Sequence, residues 1–408
     1  MRRVSVCLCL AVALAVAALL PVRTTRAATI RFVVTPNPAR ADQPVTIRLT
    51  GLAPGQRTFL NAQFVDVTGA QWEADATFRA DARGVVDPAI QAPLAGTYSG
   101  VRPMGLLWSA TYSSGMLPPA SLRATKALTL TATVGGQFVA RVVTMRDVVT
   151  PGVTATAVRT GGLYGAFYHP TGGPPAPGVL VLGGSEGGLN PFIRREAALL
   201  ADYGYAALAL AYFGAPGLPP ALADIPLEYF GRALSWLGRQ PGVRGDGLAV
   251  VGHSRGGELA LLLGAHYPQL RAAVSYVGSG VVYGSPMVRG TAAWTWRGRP
   301  IAPYTAIPVE RIAGPVLLLA AADDAIWPSP KLLQVAMERL RRYHHPYADQ
   351  LVVYPGAGHL ILSPYEPSNI AASGDAADQA AANMDAWRRT LAVLGARLQP
   401  THDVPLTP

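Results

Sequence analysis

Gly252-His253-Ser254-Arg255-Gly256 sets a serine between two glycines, with the apolar run Leu248-Ala249-Val250-Val251 before it and Leu259-Ala260-Leu261-Leu262 after it. That order predicts a buried strand, a sharp turn and a helix. A serine at such a turn is held in a strained backbone conformation with little space around it, which the flanking glycines relieve. Its hydroxyl is lifted clear of the sheet, and the unpaired N–H groups of the following helix point at the same spot. The chemistry this suits is acyl transfer, with Ser254 attacking a carbonyl and the backbone N–H of Arg255 meeting the oxyanion. Alone, the pentapeptide is a weak sign in a chain with 43 glycines; its flanking strand and helix are the context the chemistry requires.

A serine hydroxyl is a poor nucleophile at neutral pH and needs an imidazole base oriented by a carboxylate. Downstream, Asp323-Asp324 follows an apolar run at 316–320, and Pro355-Gly356-Ala357-Gly358-His359 follows another at 351–354. Both then lie on loops at the carboxyl edge of a sheet, the edge that carries the serine turn. The order Ser, Asp, His along the chain is that of the α/β-hydrolases. His359 is preferred over His253, which neighbours the nucleophile but should point away from it. It is also preferred over His266, at the far end of the helix, and over His344-His345, which follow a helix rather than a strand. Asp324 is chosen because it stands directly before a turn closed by Pro328, with Asp323 as the fallback. The second oxyanion donor is assigned to the backbone of Gly184 or Ser185, in the loop Gly183-Gly184-Ser185-Glu186-Gly187-Gly188 after the strand at 179–182. A phosphate-binding loop is the competing reading, but no G-x-G-x-x-G or lysine-bearing pattern is present.

Positioning these residues takes a sheet. From about residue 162, apolar strands (179–182, 206–210, 273–277, 316–320, 351–354) alternate with helical segments (191–203, 227–239, 330–342 and about 381–398). The alternation predicts a doubly wound, mainly parallel sheet over residues 160–400. Residues 28–150 read differently, as short alternating strands punctuated by Gly51, Pro54-Gly55, Gly69, Gly84 and Gly135-Gly136. Such spacing predicts an antiparallel β-sandwich, without a residue cluster that suggests chemistry.

The chain has 408 residues, half of them hydrophobic and 14% charged, so two folded domains with substantial cores are affordable and wholesale disorder is not expected. The formal charge is +10, carried almost wholly by arginine, with lysine only at Lys126 and Lys331. No basic cluster accompanies it, which argues against nucleic-acid binding. Arg2 and Arg3, an apolar run from 4 to 20 and the small residues Ala27-Ala28 form a secretory signal pattern, with cleavage expected after Ala27. The rival is an uncleaved N-terminal anchor; with cleavage, no stable membrane insertion is expected. Cleavage leaves a secreted or periplasmic chain, a formal charge of about +6 and no cysteine, since Cys7 and Cys9 both lie in the leader.

Several longer words resemble one family in the same order. They are Gly96-Thr97-Tyr98-Ser99-Gly100-Val101-Arg102-Pro103-Met104-Gly105-Leu106-Leu107-Trp108-Ser109, Tyr205-Ala206-Ala207-Leu208-Ala209-Leu210-Ala211-Tyr212-Phe213, Gly256-Gly257-Glu258-Leu259-Ala260-Leu261 and Pro355-Gly356-Ala357-Gly358-His359-Leu360-Ile361. On these the chain resembles the acyl-CoA thioesterase and bile acid-CoA:amino acid N-acyltransferase family, from about residue 30 to 398. The resemblance implies an N-terminal immunoglobulin-like sandwich joined to an α/β-hydrolase domain. It also implies a Ser254, Asp324, His359 triad acting on an acyl thioester. No metal or cofactor is expected. The family's N-acyltransferase branch carries cysteine as nucleophile, so serine here favours hydrolysis.

An exported chain departs from a family that works mostly inside cells, where coenzyme A is found. The alternatives kept open are an exported carboxylesterase or dienelactone-hydrolase-like enzyme, an N-acyltransferase, and an inactive exported binding module. The expected partner is a small acyl thioester or ester. Tyr283 to Pro308, with Met287, Trp294, Trp296 and Tyr304, is placed as a cap that either lines an acyl pocket or simply packs on the core. Arg194-Arg195, Arg289, Arg297 and Arg299 are available for phosphates of a coenzyme A carrier without forming a motif.

Overall fold

The computed structural model describes residues 29–400 apart from 67–68, 117–124, 148 and 368–373. The expected signal peptide, 1–27, therefore lies outside the described residues. Among the described residues, no helix is long and apolar enough to cross a membrane.

The first unit is all-β apart from one helical turn. Its main strands are β1 (Arg31–Thr35), β2 (Thr46–Thr50), β3 (Arg57–Val65), β4 (Ala70–Arg79), β5 (Thr111–Met116), β6 (Thr125–Val134) and β7 (Gln137–Asp147). The antiparallel ladder β7-β6-β3-β4 forms the body of a seven-stranded sheet, while β1 and β2 pair as a separate two-stranded sheet. Alternation builds the core: Thr58, Leu60, Ala62 and Phe64 of β3 and Trp72, Ala74, Ala76 and Phe78 of β4 all turn inward. Ile47 and Leu49 of β2 close over them, so two very unequal sheets share one core. Losing a fully buried side chain such as Phe78 to alanine would cost about 3–5 kcal/mol.

The second unit is an eight-stranded sheet. Its strands are β8 (Val153–Val158), β9 (Tyr164–Pro170), β10 (Ala176–Leu182), β11 (Ala206–Ala211), β12 (Val243–His253), β13 (Leu270–Tyr276), β14 (Val316–Ala321) and β15 (Gln350–Tyr354), in the order β8-β9-β11-β10-β12-β13-β14-β15. Everything from β11 to β15 is parallel, and β8 and β9 add antiparallel at one edge. The sheet thus begins at Val153, ahead of the expected 160. The polar alternation of this edge strand, Val153-Thr154-Ala155-Thr156-Ala157-Val158, has the texture of the first unit. The main helices are α1 (Pro191–Asp202), α2 (Leu227–Leu237), α3 (Arg255–His266), α4 (Ser329–Arg342) and α5 (Ala376–Leu398).

Central strands are apolar on both faces because both are covered. Leu180, Leu182 and Val250 pack toward α2, α3 and α4, whereas Val179, Val181 and Val251 pack toward α1 and α5. The start of α5 also belongs to the core of the first unit through Ala380. At this junction the buried Asp42 carboxylate accepts from Tyr203 Oη (2.7 Å) and Trp387 Nε1 (2.9 Å) and pairs with Arg40. A buried carboxylate is tolerable only with such a full set of partners.

Candidate active site

β12 runs straight into α3, and Ser254 takes the single residue of turn between them. Its backbone sits at φ 54 and ψ −118, a region closed to most side chains. The two glycines are required by proximity. A Cβ on Gly252 would lie 2.0 Å from the Gly256 carbonyl oxygen, and one on Gly256 would lie 2.3 Å from that of Gly183.

The Ser254 hydroxyl donates to His359 Nε2 at 2.9 Å, and His359 Nδ1–H donates to both oxygens of Asp324, at 2.9 and 2.8 Å. The structure therefore brings Ser254, Asp324 and His359 together from the ends of β12, β14 and β15. Asp323 is exposed, and the carboxylate on His359 Nδ1 is that of Asp324. Burial alone would push the Asp324 carboxyl up. The hydrogen bonds from His359 and Ser329, the His359 charge and the Trp327 N–H outweigh it and hold the carboxyl below its ordinary value.

The loop carrying His359 is pinned by the last helix. Gln379 accepts from Gly358 N (2.9 Å) and donates to the Leu360 carbonyl (2.9 Å), and Asn383 accepts from Leu362 N (2.9 Å). With Trp387 these recur every four residues and form one stripe of α5. The helix begins at Ala376, before the expected 381, because Asp375 caps it by accepting from the N–H groups of Ala377 and Asp378. Polar residues on an otherwise apolar helical face were the available sign of this role, and sequence reasoning passed over them.

Ser185 lines the same cavity as Ser254 and Arg255. Gly184 differs from expectation: its N–H is donated to Glu186 Oε1 at 2.9 Å, so it is not free to meet an oxyanion. The Glu186 carboxylate folds back over its own loop and also accepts from Asn190, which an isolated glycine-rich stretch does not reveal. Tyr212 Oη holds the same loop from below by donating to the Gly183 carbonyl at 2.7 Å.

His253 does point away from Ser254. Its Nε2 meets Glu196 Oε2 at 2.7 Å and its ring stacks on Tyr276. Burial would lower this imidazole, but the charge and hydrogen bond of Glu196 outweigh it and raise it above its ordinary value. His266 and His345 bond backbone carbonyls elsewhere.

Two cavities meet at Ser254. One, of about 330 Å³, runs between α1 and the His359 loop and is lined by Phe192, Ile193, Val277, Leu360, Ile361 and Leu362, with Glu196 and His253 at its wall. The other, of about 550 Å³, opens toward Arg255, Tyr283, Ser285, Arg289, Tyr304 and Trp327. The segment after Tyr283 is thus divided. Tyr304 and Arg289 line the second cavity, but Trp294 is fully buried against Tyr212 and Phe230. Trp296 packs on His266 and Tyr267. Neither tryptophan lines the apolar cavity. Of the arginines, Arg195 is buried and paired with Glu366, and Arg297 lies over Trp296.

Residues 42–160 match the acyl-CoA thioester hydrolase/BAAT N-terminal region, and residues 225–292 and 296–400 match the BAAT/acyl-CoA thioester hydrolase C-terminal region. The chain belongs to this family. The peroxisomal succinyl-coenzyme A thioesterase of Mus musculus is 31% identical over 88% of this chain and 95% of its own length. Acyl-coenzyme A thioesterase 6 of Mus musculus is 32% identical over 85% of this chain and 92% of its own. The acyl-coenzyme A amino acid N-acyltransferase 1 of the same organism is 31% identical with 88% and 95% covered. Among solved structures, a putative dienelactone hydrolase from Klebsiella pneumoniae superposes with a TM-score of 0.47 and 24% identity, covering 60% of this chain and 98% of its own. This acyl-CoA thioester hydrolase/BAAT family member thus has relatives that are hydrolases and an acyltransferase of acyl-CoA thioesters.

Proposed function

We propose that the protein is a serine acyl-thioester hydrolase working through an acyl-enzyme on Ser254. The observation that carries this reading is the 2.9 Å contact of Ser254 Oγ with His359 Nε2, backed by Asp324, at the point where the two cavities meet. His359 Nε2 takes the hydroxyl proton as Ser254 Oγ bonds to the thioester carbon. The N–H groups of Arg255 and Ser185 receive the oxyanion, at the start of α3 where the helix dipole is positive. As the C–S bond breaks, His359 returns the proton to the thiolate. A water then repeats the sequence, giving acid and free serine.

The apolar cavity suits an acyl chain, and the second, more polar cavity suits the leaving thiol. The names of the relatives make coenzyme A thioesters the first substrates to try. The first unit is read as an immunoglobulin-like sandwich that buttresses α5, and residues 1–27 as an export signal, giving a secreted or periplasmic enzyme.

The test is a panel of acyl-CoA, acyl-pantetheine and p-nitrophenyl esters, with and without glycine or taurine. Acyl-CoA hydrolysis indifferent to amines, lost by several orders of magnitude in Ser254→Ala, is the expected result. An N-acyl product would move the protein to the transferase branch, and ester turnover without thioester turnover would refute the thioesterase assignment. Unchanged activity in Ser254→Ala would refute the acyl-enzyme itself.

A further inference from the structure

The elbow helix carries a carboxylate on its core side. Glu258 is fully buried, one turn after the nucleophile. It accepts from Arg255 Nη1 at 2.6 Å, from Trp294 Nε1 at 2.7 Å and from the Tyr283 N–H at 3.3 Å. Arg255 Nη2 in turn donates to the carbonyls of Tyr283 (2.9 Å) and Gly284 (3.2 Å). Tyr283 and Gly284 open the segment that walls the second cavity, which continues through Ser285 and Arg289 to Thr291. The segment returns to the core at Trp294, the same tryptophan that donates to Glu258. Both ends of the wall are therefore tied to one carboxylate. The residue that joins it to the wall, Arg255, is also the one whose backbone N–H is proposed above to receive the oxyanion.

Burial pushes the Glu258 carboxyl up to about 7 against the pull of Arg255, Trp294 and the Tyr283 N–H. Nothing in the acid–base steps uses this carboxylate, whose hydrogen bonds go to Arg255, Trp294 and Tyr283 rather than to Ser254 or His359.

Taking the thioester reading above as its basis, we infer that Glu258 is a positioning residue for the leaving group, clasping the Tyr283–Thr291 wall of the second cavity to the elbow through Arg255 and Trp294. A bulky thiol spans that wall and senses whether it is held. A small leaving group departs from the elbow without reaching it. The acyl side is indifferent to the clasp, because its cavity is built from α1, β13 and the His359 loop.

The experiment pairs two substrates of one acid, the acyl-pantetheine thioester and the p-nitrophenyl ester. Both pass through the same acyl-enzyme, so deacylation is common to them. Glu258→Gln keeps the shape but replaces one acceptor oxygen by an amide NH2, so that Arg255 and Trp294 cannot both be held. It should lower kcat/KM for the pantetheine thioester about tenfold more than for the p-nitrophenyl ester, chiefly through KM, with the deacylation rate unchanged. Trp294→Phe, which removes only the Nε1 donor, should shift the same ratio in the same direction by about threefold. It decides the matter if Glu258→Gln does not accumulate as folded protein. Equal losses on both substrates, or no change in their ratio, would overturn the inference. A wild-type protein that forms no acyl-enzyme from either substrate would instead overturn the hydrolase reading beneath it.

Discussion

The two cavities at Ser254 are built in opposite ways. The apolar one is a gap in the body of the domain, between α1 and a loop that α5 pins at Gly358, Leu360 and Leu362. The larger one is walled by an excursion from the sheet, Tyr283 to Thr291 and Pro303-Tyr304, held by a few buried polar contacts. Core packing defines the first, so its size is costly to change without repacking several neighbours. The second has an exposed rim, where Tyr304 keeps 78% of its surface, and side chains there can change at little cost to the fold. The nucleophile sits where a rigid specificity meets an adjustable one.

The largest effect should strike both sides alike. Asp324→Asn is expected to lower kcat by about 10³–10⁴ for every acyl group and every leaving group, while Asp323→Asn stays within about twofold of wild type. Comparable losses in the two variants, read from steady-state rates, would show that the carboxylate seen on His359 is not the one used. Next, Leu362→Trp should separate the sides. It fills the apolar cavity and should cost about 10–100-fold in kcat/KM for long acyl chains relative to acetyl, whatever the leaving group. A loss tracking the thiol rather than the chain would reverse the assignment of the cavities.

A smaller effect is expected at the open side. Arg289→Ala should raise KM about threefold for a phosphate-bearing thiol and hardly at all for pantetheine, with the difference fading at high salt. The smallest effect concerns the ion pair on the apolar side. Because Glu196 raises the His253 imidazole above 6.5, its stabilisation is complete below that pH and is lost as pH rises through the raised value. Wild type should therefore melt about 2 °C above Glu196→Gln at about pH 5, and the gap should narrow toward pH 9. A gap that widens with rising pH would mean that His253 is neutral in its pair.

Ser254, His359 and Asp324 stood out in the sequence because each follows an apolar strand, and strand ends are where a parallel sheet presents its side chains. The sheet itself was legible from the same runs, except for β8, whose Thr and Ala alternation carries no mark of the domain it joins. Side-chain partners were not legible. Glu186 takes the Gly184 N–H, Glu366 takes Arg195, and Glu258 draws Trp294 into the core, all through contacts between residues distant in sequence or through a loop folding on itself. A residue type announces what it can bond, and only the fold decides which neighbour is offered. Glu258 came nearest to being readable, as the one acidic residue among the apolar residues of the elbow helix.

The stripe of Gln379, Asn383 and Trp387 on α5 sets a schedule for the molecule's birth. Domains emerge from the ribosome amino end first and fold as they emerge. Here all eight strands of the second sheet precede the loop bearing His359, which has nothing to lie against until α5 is made. Only when residues 376–398 are out do Gln379 and Asn383 fix that loop and Trp387 reach back to Asp42. Gln379 and Asn383, which hold the His359 loop, thus follow Ser254 by 125 and 129 residues.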